Sequence, residues 1–343
     1  MKKIIIIKAV SILLYCLLFI NASSQVINAD RGWNFNTMDR YLEFAEKKNF
    51  DDDVLLQLRK SKTILFLNYN EEEREMLDYF YKSALTQSWD LSEIEIDHIN
   101  NLSKYKDLPG FSLLLIEGKY VHGSKDMANT ARLYLTLTLN MTNGKDTKVK
   151  PIVLGRIDLF PSHQFSSVKT GGMFDFKDRD DEVNFAVYEG LKNNWMLNFT
   201  PVSLMAHLGV ISSNIKKKIR PDHKDDIRDE NLNAILARDT LYIPKSILKG
   251  YKIAGLNSTE EFDLDEEVLK EYKYNYKICS DKELYFNFIV EKRSRLLFEY
   301  VKLGSSKYIY IIDTKLKKYI LKEVGSAMKT PVLNEKDFKK ICK

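Results

Sequence analysis

The chain has 343 residues, of which 44% are hydrophobic and 29% charged, with a formal net charge of +5. This balance excludes a disordered chain, and the length allows two domains of ordinary size. Lys2, Lys3 and Lys8 lie in an opening segment without acids; only about +2 belongs to the remainder, and no basic stripe interleaved with aromatics points to nucleic acid.

Residues 1–24 read as a signal peptide. Lys2 and Lys3 supply the charged start, and 4–20 form an apolar core interrupted by Lys8. Ala22, Ser23 and Ser24 are the small residues before a cleavage that would leave Gln25 first. The rival is an uncleaved anchor, but the uncharged apolar run 9–20 falls short of the roughly 20 residues of a spanning helix. Leu13, Leu14 and Tyr15 before Cys16 do not fit the small residues of a bacterial lipobox. No later segment could span a bilayer. The expectation is therefore an exported protein, periplasmic or extracellular, with no integral membrane segment after signal removal.

Residues 25–60 form an N-terminal helical lead-in. Met38, Tyr41, Leu42 and Ala45 share one face of a helix over 37–48, with Thr37 as N-cap. A second helix over 51–60 would turn Val54, Leu55 and Leu58 inward, with Asp51, Asp52 and Asp53 in its first turn, where acids favour the macrodipole.

The first α/β half covers 61–160. A strand at 63–67 leads to a helix over 71–89 whose stripe is Leu77, Phe80, Tyr81, Ala84 and Leu85. An alternating strand at 94–99, a polar segment at 100–106 and an apolar run at 111–116 complete a β-α-β-α-β order, the signature of parallel strands with crossovers. In 132–140, Leu133, Leu135, Leu137 and Leu139 face one way and Tyr134, Thr136 and Thr138 the other, which predicts a sheet with one more polar face. Asn143-Gly144 marks a hairpin turn, with 148–158 returning.

A helical insert and linker follow over 161–235. Phe185, Tyr188, Leu191 and Trp195 repeat at helical spacing. Thr200 and Pro201 then open a second helix with a seam of Leu204, Leu208, Ile211, Ile215 and Ile219. Lys216, Lys217 and Lys218 at its end complement the macrodipole. The charged stretch 221–233 reads as a linker or exposed helix.

The second α/β half covers 236–343. Its expected elements are a strand at 241–243, a helix over 263–272 with Leu264, Val268 and Leu269 inward, and a strand at 274–279. A Ser280–Glu283 capping box opens the next helix. Strands at 296–303 and 308–312 follow, and 318–324 pairs back as a hairpin. The fold class is thus mixed α/β: two tandem β-α-β-α-β-β halves joined by a helical insert, an internal duplication carried by the order of elements.

The motifs that carry chemistry are absent. His98, His122, His163, His207 and His223 lack metal-ligand spacing, and HExxH does not occur. His207 reads as a helix-face histidine, and His223 sits in the charged linker. Neither GxGxxG, nor GxxxxGK[ST], nor GxSxG, nor CxxC is present, so no cofactor is implied. Cys279 and Cys342 remain after signal removal and could be a disulfide or two thiols. Open α/β sheets bind ligands at the carboxyl ends of their parallel strands. That places a candidate ligand site at His122, Lys125 and Asp126 in the loop after the third strand, with Tyr69 beyond the first.

The strand–helix pair over 63–89 and the terminal hairpin over 308–324, with Asp313 at its turn, resemble uncharacterised exported bacterial α/β proteins. The order of elements also resembles the small α/β domains of periplasmic adaptor and envelope-assembly proteins. With the chemical motifs absent, the preferred reading is an exported, non-enzymatic binding or scaffold protein of the cell envelope that recognises a protein or cell-wall partner through sheet edges and loops. The 19 Tyr and 18 Phe, more than a core obviously needs, point the same way. The alternative is a cell-envelope hydrolase with a site built from scattered loops.

Overall fold

A computed structural model describes residues 50–69, 71–121, 130–142, 149–162, 196–219, 226–253, 259–303, 306–326 and 332–343. The expected signal peptide, the expected helices over 37–48 and around 185–195, the expected Asn143-Gly144 turn, His163 and His223 lie outside the described residues.

Helix α1 (Asp52–Lys60) has Asp52 and Asp53 in its first turn, Arg59 and Lys60 in its last, and buries Val54 and Leu58. It leads into β1 (Lys62–Leu67), the middle of three parallel strands. Helix α2 (Glu71–Ser88) crosses from β1 to β2 (Glu93–His98), and β3 (Phe111–Val121) takes the other side of β1. The second crossover is a 3-10 turn, Ile99–Lys104, rather than a full helix. Only Ile99 and Leu102 are buried there, and the Asn101 side chain ties the turn to Asp97. Then β4 (Thr130–Thr142) and β5 (Val149–Leu159) add antiparallel strands, giving the order β2-β1-β3-β4-β5.

The more polar face of β4 is covered rather than open to water. Tyr134, Thr136 and Thr138 are buried, as are the leucines opposite. The Arg156 guanidinium covers the Tyr134 ring at 5.1 Å, Thr136 donates to Glu117 at 2.6 Å, and the second sheet packs on this side through β11.

Helix α3 (Pro201–Lys216) begins as its sequence implies, with Pro201 in the first turn and the Thr200 hydroxyl accepting from the Ser203 N–H. It is buried nearly all round. Leu204, Leu208 and Ile215 join the core of the first sheet, while Val202, Met205, Ala206 and Val210 join that of the second. At Gly155 the approach is close: a Cβ there would lie 3.0 Å from Ile211.

The stretch read as a linker or exposed helix carries the short strand β6 (Ile227–Arg228), which was not expected, and at its end begins the helix α4 (Leu232–Arg238). Next come β7 (Leu241–Pro244) and a hairpin, β8 (Lys249–Ile253) with β9 (Thr259–Asp263). The helix expected over 263–272 is therefore corrected. The Leu264 N–H bonds the Leu248 carbonyl at 2.9 Å, which keeps the chain extended, and only the 3-10 turn Glu266–Leu269 follows. Strand β10 (Tyr276–Cys279) ends at the Ser280–Glu283 capping box. That box opens α5 (Asp281–Tyr285), which continues as a π-helical turn, Phe286–Val290.

Strands β11 (Leu296–Leu303), β12 (Ser306–Asp313) and β13 (Lys318–Ser326) complete a sheet of order β10-β7-β11-β12-β13-β6. Both β10 and β11 lie parallel to β7, and β12 and β13 run antiparallel in turn. This is the order and sense of the five strands of the first sheet. Helix α6 (Glu335–Ile341) closes the chain behind an Asn334–Asp337 capping box. Cys279 and Cys342 are free thiols, and the Cys342 sulfur accepts from the Lys273 N–H at 3.5 Å. Among the described residues, no helix is long and apolar enough to cross a membrane.

Candidate functional site

The candidate loop with His122, Lys125 and Asp126 lies outside the described residues. Its fourth member, Tyr69, is described. It is buried at the end of β1, beside β3 in the sheet, with its ring edge-on to His98 at 5.1 Å. The same strand ends carry Asp97, whose carboxylate accepts from Tyr105 Oη, Asn101 Nδ2 and the His98 N–H, each at 2.7 Å. Burial works against its ionisation, yet these donors outweigh it and hold the carboxyl below its ordinary range. The bond to Asp97, and then burial, push the Tyr105 phenol up to about 12. Every polar atom of the Asp97 carboxylate is thus used to fix the turn after β2.

The strongest electrostatic perturbation lies in the seam between the sheets. Asp158 at the end of β5 accepts from Tyr310 Oη on β12 at 2.7 Å. On α3, His207 bonds Tyr319 Oη through Nδ1 at 2.9 Å, with its ring edge-on to Tyr310 at 5.4 Å. One turn earlier, Ser203 donates to Glu299 in the middle of β11. Burial lowers the His207 pKa to about 4 against the opposing pull of Asp158. Burial likewise raises Glu299 to about 8, despite the hydroxyl of Ser203. At neutral pH the seam therefore holds an uncharged imidazole and a protonated carboxyl.

Such shifted pairs are what acid–base sites use, but here Asp158, His207, Glu299 and Tyr310 are all buried. They act as hydrogen-bonded struts between the sheets. Sequence reading found His207 as a helix-face residue and missed the others. Glu299 was the available signal, a carboxylate in the middle of the largely apolar strand β11. Its partner Ser203 is 96 residues away.

Two accessible features remain. The first is an apolar patch on the helices. Helix α2 runs beside α5: Phe80 meets Tyr285 edge-on at 4.5 Å, Tyr79 lies 6.4 Å from the same ring, and Gln87 Nε2 donates to the Ile289 carbonyl at 3.3 Å. On the outer surface of this pair Met76 is 55% exposed, Tyr79 62%, Phe286 51% and Val290 50%. Met76 and Tyr79 are three apart, and Phe286 and Val290 four apart, so each pair shares a helix face.

The second feature is a small cavity where the end of α2, the middle of α3 and the β12–β13 turn meet. Lys292, Lys315 and Lys317 line it. Among the described residues, no group of three His, Cys, Asp or Glu side chains could hold a metal ion. Comparison with protein-family models, curated proteins and solved structures gave no match.

Proposed function

We propose that the chain is an exported, non-enzymatic binding or scaffold protein of the bacterial cell envelope, docking a protein or cell-wall partner on its helical surface. The observation that carries this reading is the patch of Met76, Tyr79, Phe286 and Val290. Aromatic and methionine side chains supply large contact areas and are enriched where interfaces form. The patch also spans both halves, since α2 belongs with the first sheet and α5 with the second. The charged, apolar and small-residue order of 1–24 supports export, and the shared strand order supports a tandem duplication.

The test places a photocrosslinking side chain at Tyr79 or Phe286 in cells, with Leu108, exposed on a turn of the first half, as control. Crosslinks to one partner from the first two positions but not the third, lost on Tyr79→Asp in the Phe286 probe, are the expected result. Equal labelling from all three positions overturns the reading. The export step is checked by N-terminal sequencing of the mature protein, expected to begin at Gln25.

A further inference from the structure

We propose that the cavity between α2, α3 and the β12–β13 turn binds a phosphate group carried by a small ligand. Its position is set by four segments distant in sequence. Gln87 and Ser88 come from the end of α2, Gly209 from α3, Lys292 and Ser294 from the turn before β11, and Thr314, Lys315 and Lys317 from the hairpin. The site is independent of the aromatic patch and goes beyond the docking reading.

Charge is the first argument. Three lysines line the cavity, and no carboxylate among the described residues does. Two of the ammonium groups meet only backbone oxygens at long range: Lys317 Nζ reaches the Ser88 carbonyl at 3.3 Å and Lys315 Nζ the Arg293 carbonyl at 3.4 Å. The neighbouring acids make their hydrogen bonds elsewhere, although Asp90 lies near enough to feel the Lys317 charge. Asp90 bonds Lys216 and Ser212, while Asp313 pairs with Arg295 and caps the Lys315 and Leu316 N–H groups.

The backbone is the second. Lys292 and Lys317 have φ of 54° and 52°, the left-handed region that side-chain-bearing residues rarely occupy. Strain of this kind persists where the surroundings hold it and gathers at binding sites. Gly209 lies directly under the Lys317 stem: a Cβ there would be in van der Waals contact with Lys317 Cγ at 3.4 Å. Glycine inside a helix is otherwise unfavourable.

The third argument is a hydroxyl. Ser294 lines the cavity and is buried, and its Oγ has no hydrogen-bond partner among the described residues. Buried polar atoms are nearly always bonded. A phosphate oxygen would accept from Ser294 and the lysines together, and lysine ammonium groups are established phosphate partners. Size then selects the ligand. The cavity holds about 100 Å³, room for a phosphate and a few waters at roughly 10–15 Å³ per water. It is far below the roughly 300–1,000 Å³ that encloses a whole drug-sized molecule, so the rest of the ligand stays outside.

The test is calorimetric titration of the folded chain with inorganic phosphate and with glycerol phosphate, beside sedimentation with phosphatidylglycerol vesicles. Saturable binding is expected, weakened roughly 10-fold or more by Lys317→Met and by Lys292→Met, and about 2- to 10-fold by Ser294→Ala. Lys339→Met, a surface lysine far along the chain on α6, should leave it unchanged. Lys292 is exposed, so its variant keeps the test valid if Lys317→Met fails to fold. Cavity-dependent binding to vesicles as well as to glycerol phosphate assigns the group to a lipid headgroup; binding to the soluble ligands alone assigns it to a free metabolite. Absence of saturable binding in all three arms, or equal loss in Lys339→Met, overturns the proposal.

Discussion

In the first sheet the polar side chains buried inside are mostly neutral. The Thr63 hydroxyl lies 2.6 Å from both Ser92 and Ser112, and Asn140 Nδ2 donates to the Tyr105, Lys106 and Leu108 carbonyls at 3.0, 3.1 and 3.0 Å. In the second sheet, with the same strand order, they are ionisable. Glu299, Lys307, Asp313 and Lys322 are buried on its strands, and Asp337 is buried on α6, where it pairs with Lys307. Neutral networks lose little when pH or salt changes, whereas a buried ion depends on its partner. The comparison therefore assigns the pH- and charge-sensitive part of the stability to the second sheet and the seam, although the two sheets share one backbone plan.

The largest effect expected from this difference is at Asp337. Its carboxylate holds the Lys307 ammonium at 2.6 and 2.8 Å, and both side chains are buried. Asp337→Ala should cost about 3–5 kcal/mol, because breaking a buried pair leaves a charge without this counterion. Asp337→Asn keeps an oxygen for the Asn334 N–H of the capping box and separates the cap from the pair. Urea denaturation measures both. A loss below about 1 kcal/mol, the range of exposed pairs, would break the comparison.

Next comes the seam. Glu299 is raised from 4.5 to about 8, so its folded form holds a proton that the unfolded chain releases. That contribution is complete below the ordinary value and is lost as pH rises through the folded one. His207 is lowered from 6.5 to about 4 and works in the opposite sense, favouring the fold as pH rises over that interval. Between pH 4.5 and 6.5 the two oppose each other. Above 6.5 only Glu299 still titrates, and stability should fall on the order of 2 kcal/mol by pH 8. Glu299→Gln should flatten this slope. A wild-type profile flat from 6.5 to 8 would show that Glu299 does not hold its proton.

What the sequence disclosed follows from how local each cause is. The Ser280–Glu283 capping box, the Thr200–Pro201 start of α3 and the acids of α1 act within a few residues, and each stands where its pattern placed it. The hairpin 318–324 was also legible, since alternation and turn residues lie together in the chain. The β8–β9 hairpin was not, because apolar Leu264, Val268 and Leu269 fit a helical spacing as well as the strand end and 3-10 turn that form. The covering of Tyr134, Thr136 and Thr138 depends on a second sheet more than 100 residues away in the chain, and the lysine cavity draws on four separated segments. No local pattern encodes either.

A smaller effect sharpens the comparison from the first sheet. Asn140→Ala removes the donor shared by the three carbonyls of the turn before β3. Loss of a buried amide of this kind costs about 1–3 kcal/mol. No ionisation is involved, so the loss should be the same at acidic and neutral pH, unlike that of Glu299→Gln. A loss that changes with pH would mean that the first sheet is coupled to the ions of the seam.

The smallest effect lies where the two halves diverge most locally, after each edge strand. Strand β2 enters its 3-10 turn with the His98 ring accepting from the Asn100 N–H, while β10 enters α5 through a full capping box. In that box Ser280 accepts from the Glu283 N–H at 3.3 Å, and the Glu283 carboxylate returns to the Ser280 N–H at 2.9 Å. The Ser280 N–H and hydroxyl, both donating to it, hold the Glu283 carboxyl below its ordinary range. The cap is exposed, so Ser280→Ala should cost only about 1 kcal/mol, and Ser280→Thr should restore most of it. Faster hydrogen exchange at the Glu283 amide would localise the change to the first turn of α5. The π-helical turn that follows carries Phe286 and Val290, so the same variant should loosen the aromatic patch without altering its residues. Unchanged exchange through Val290 would show that packing against α2, not the cap, holds that surface in place.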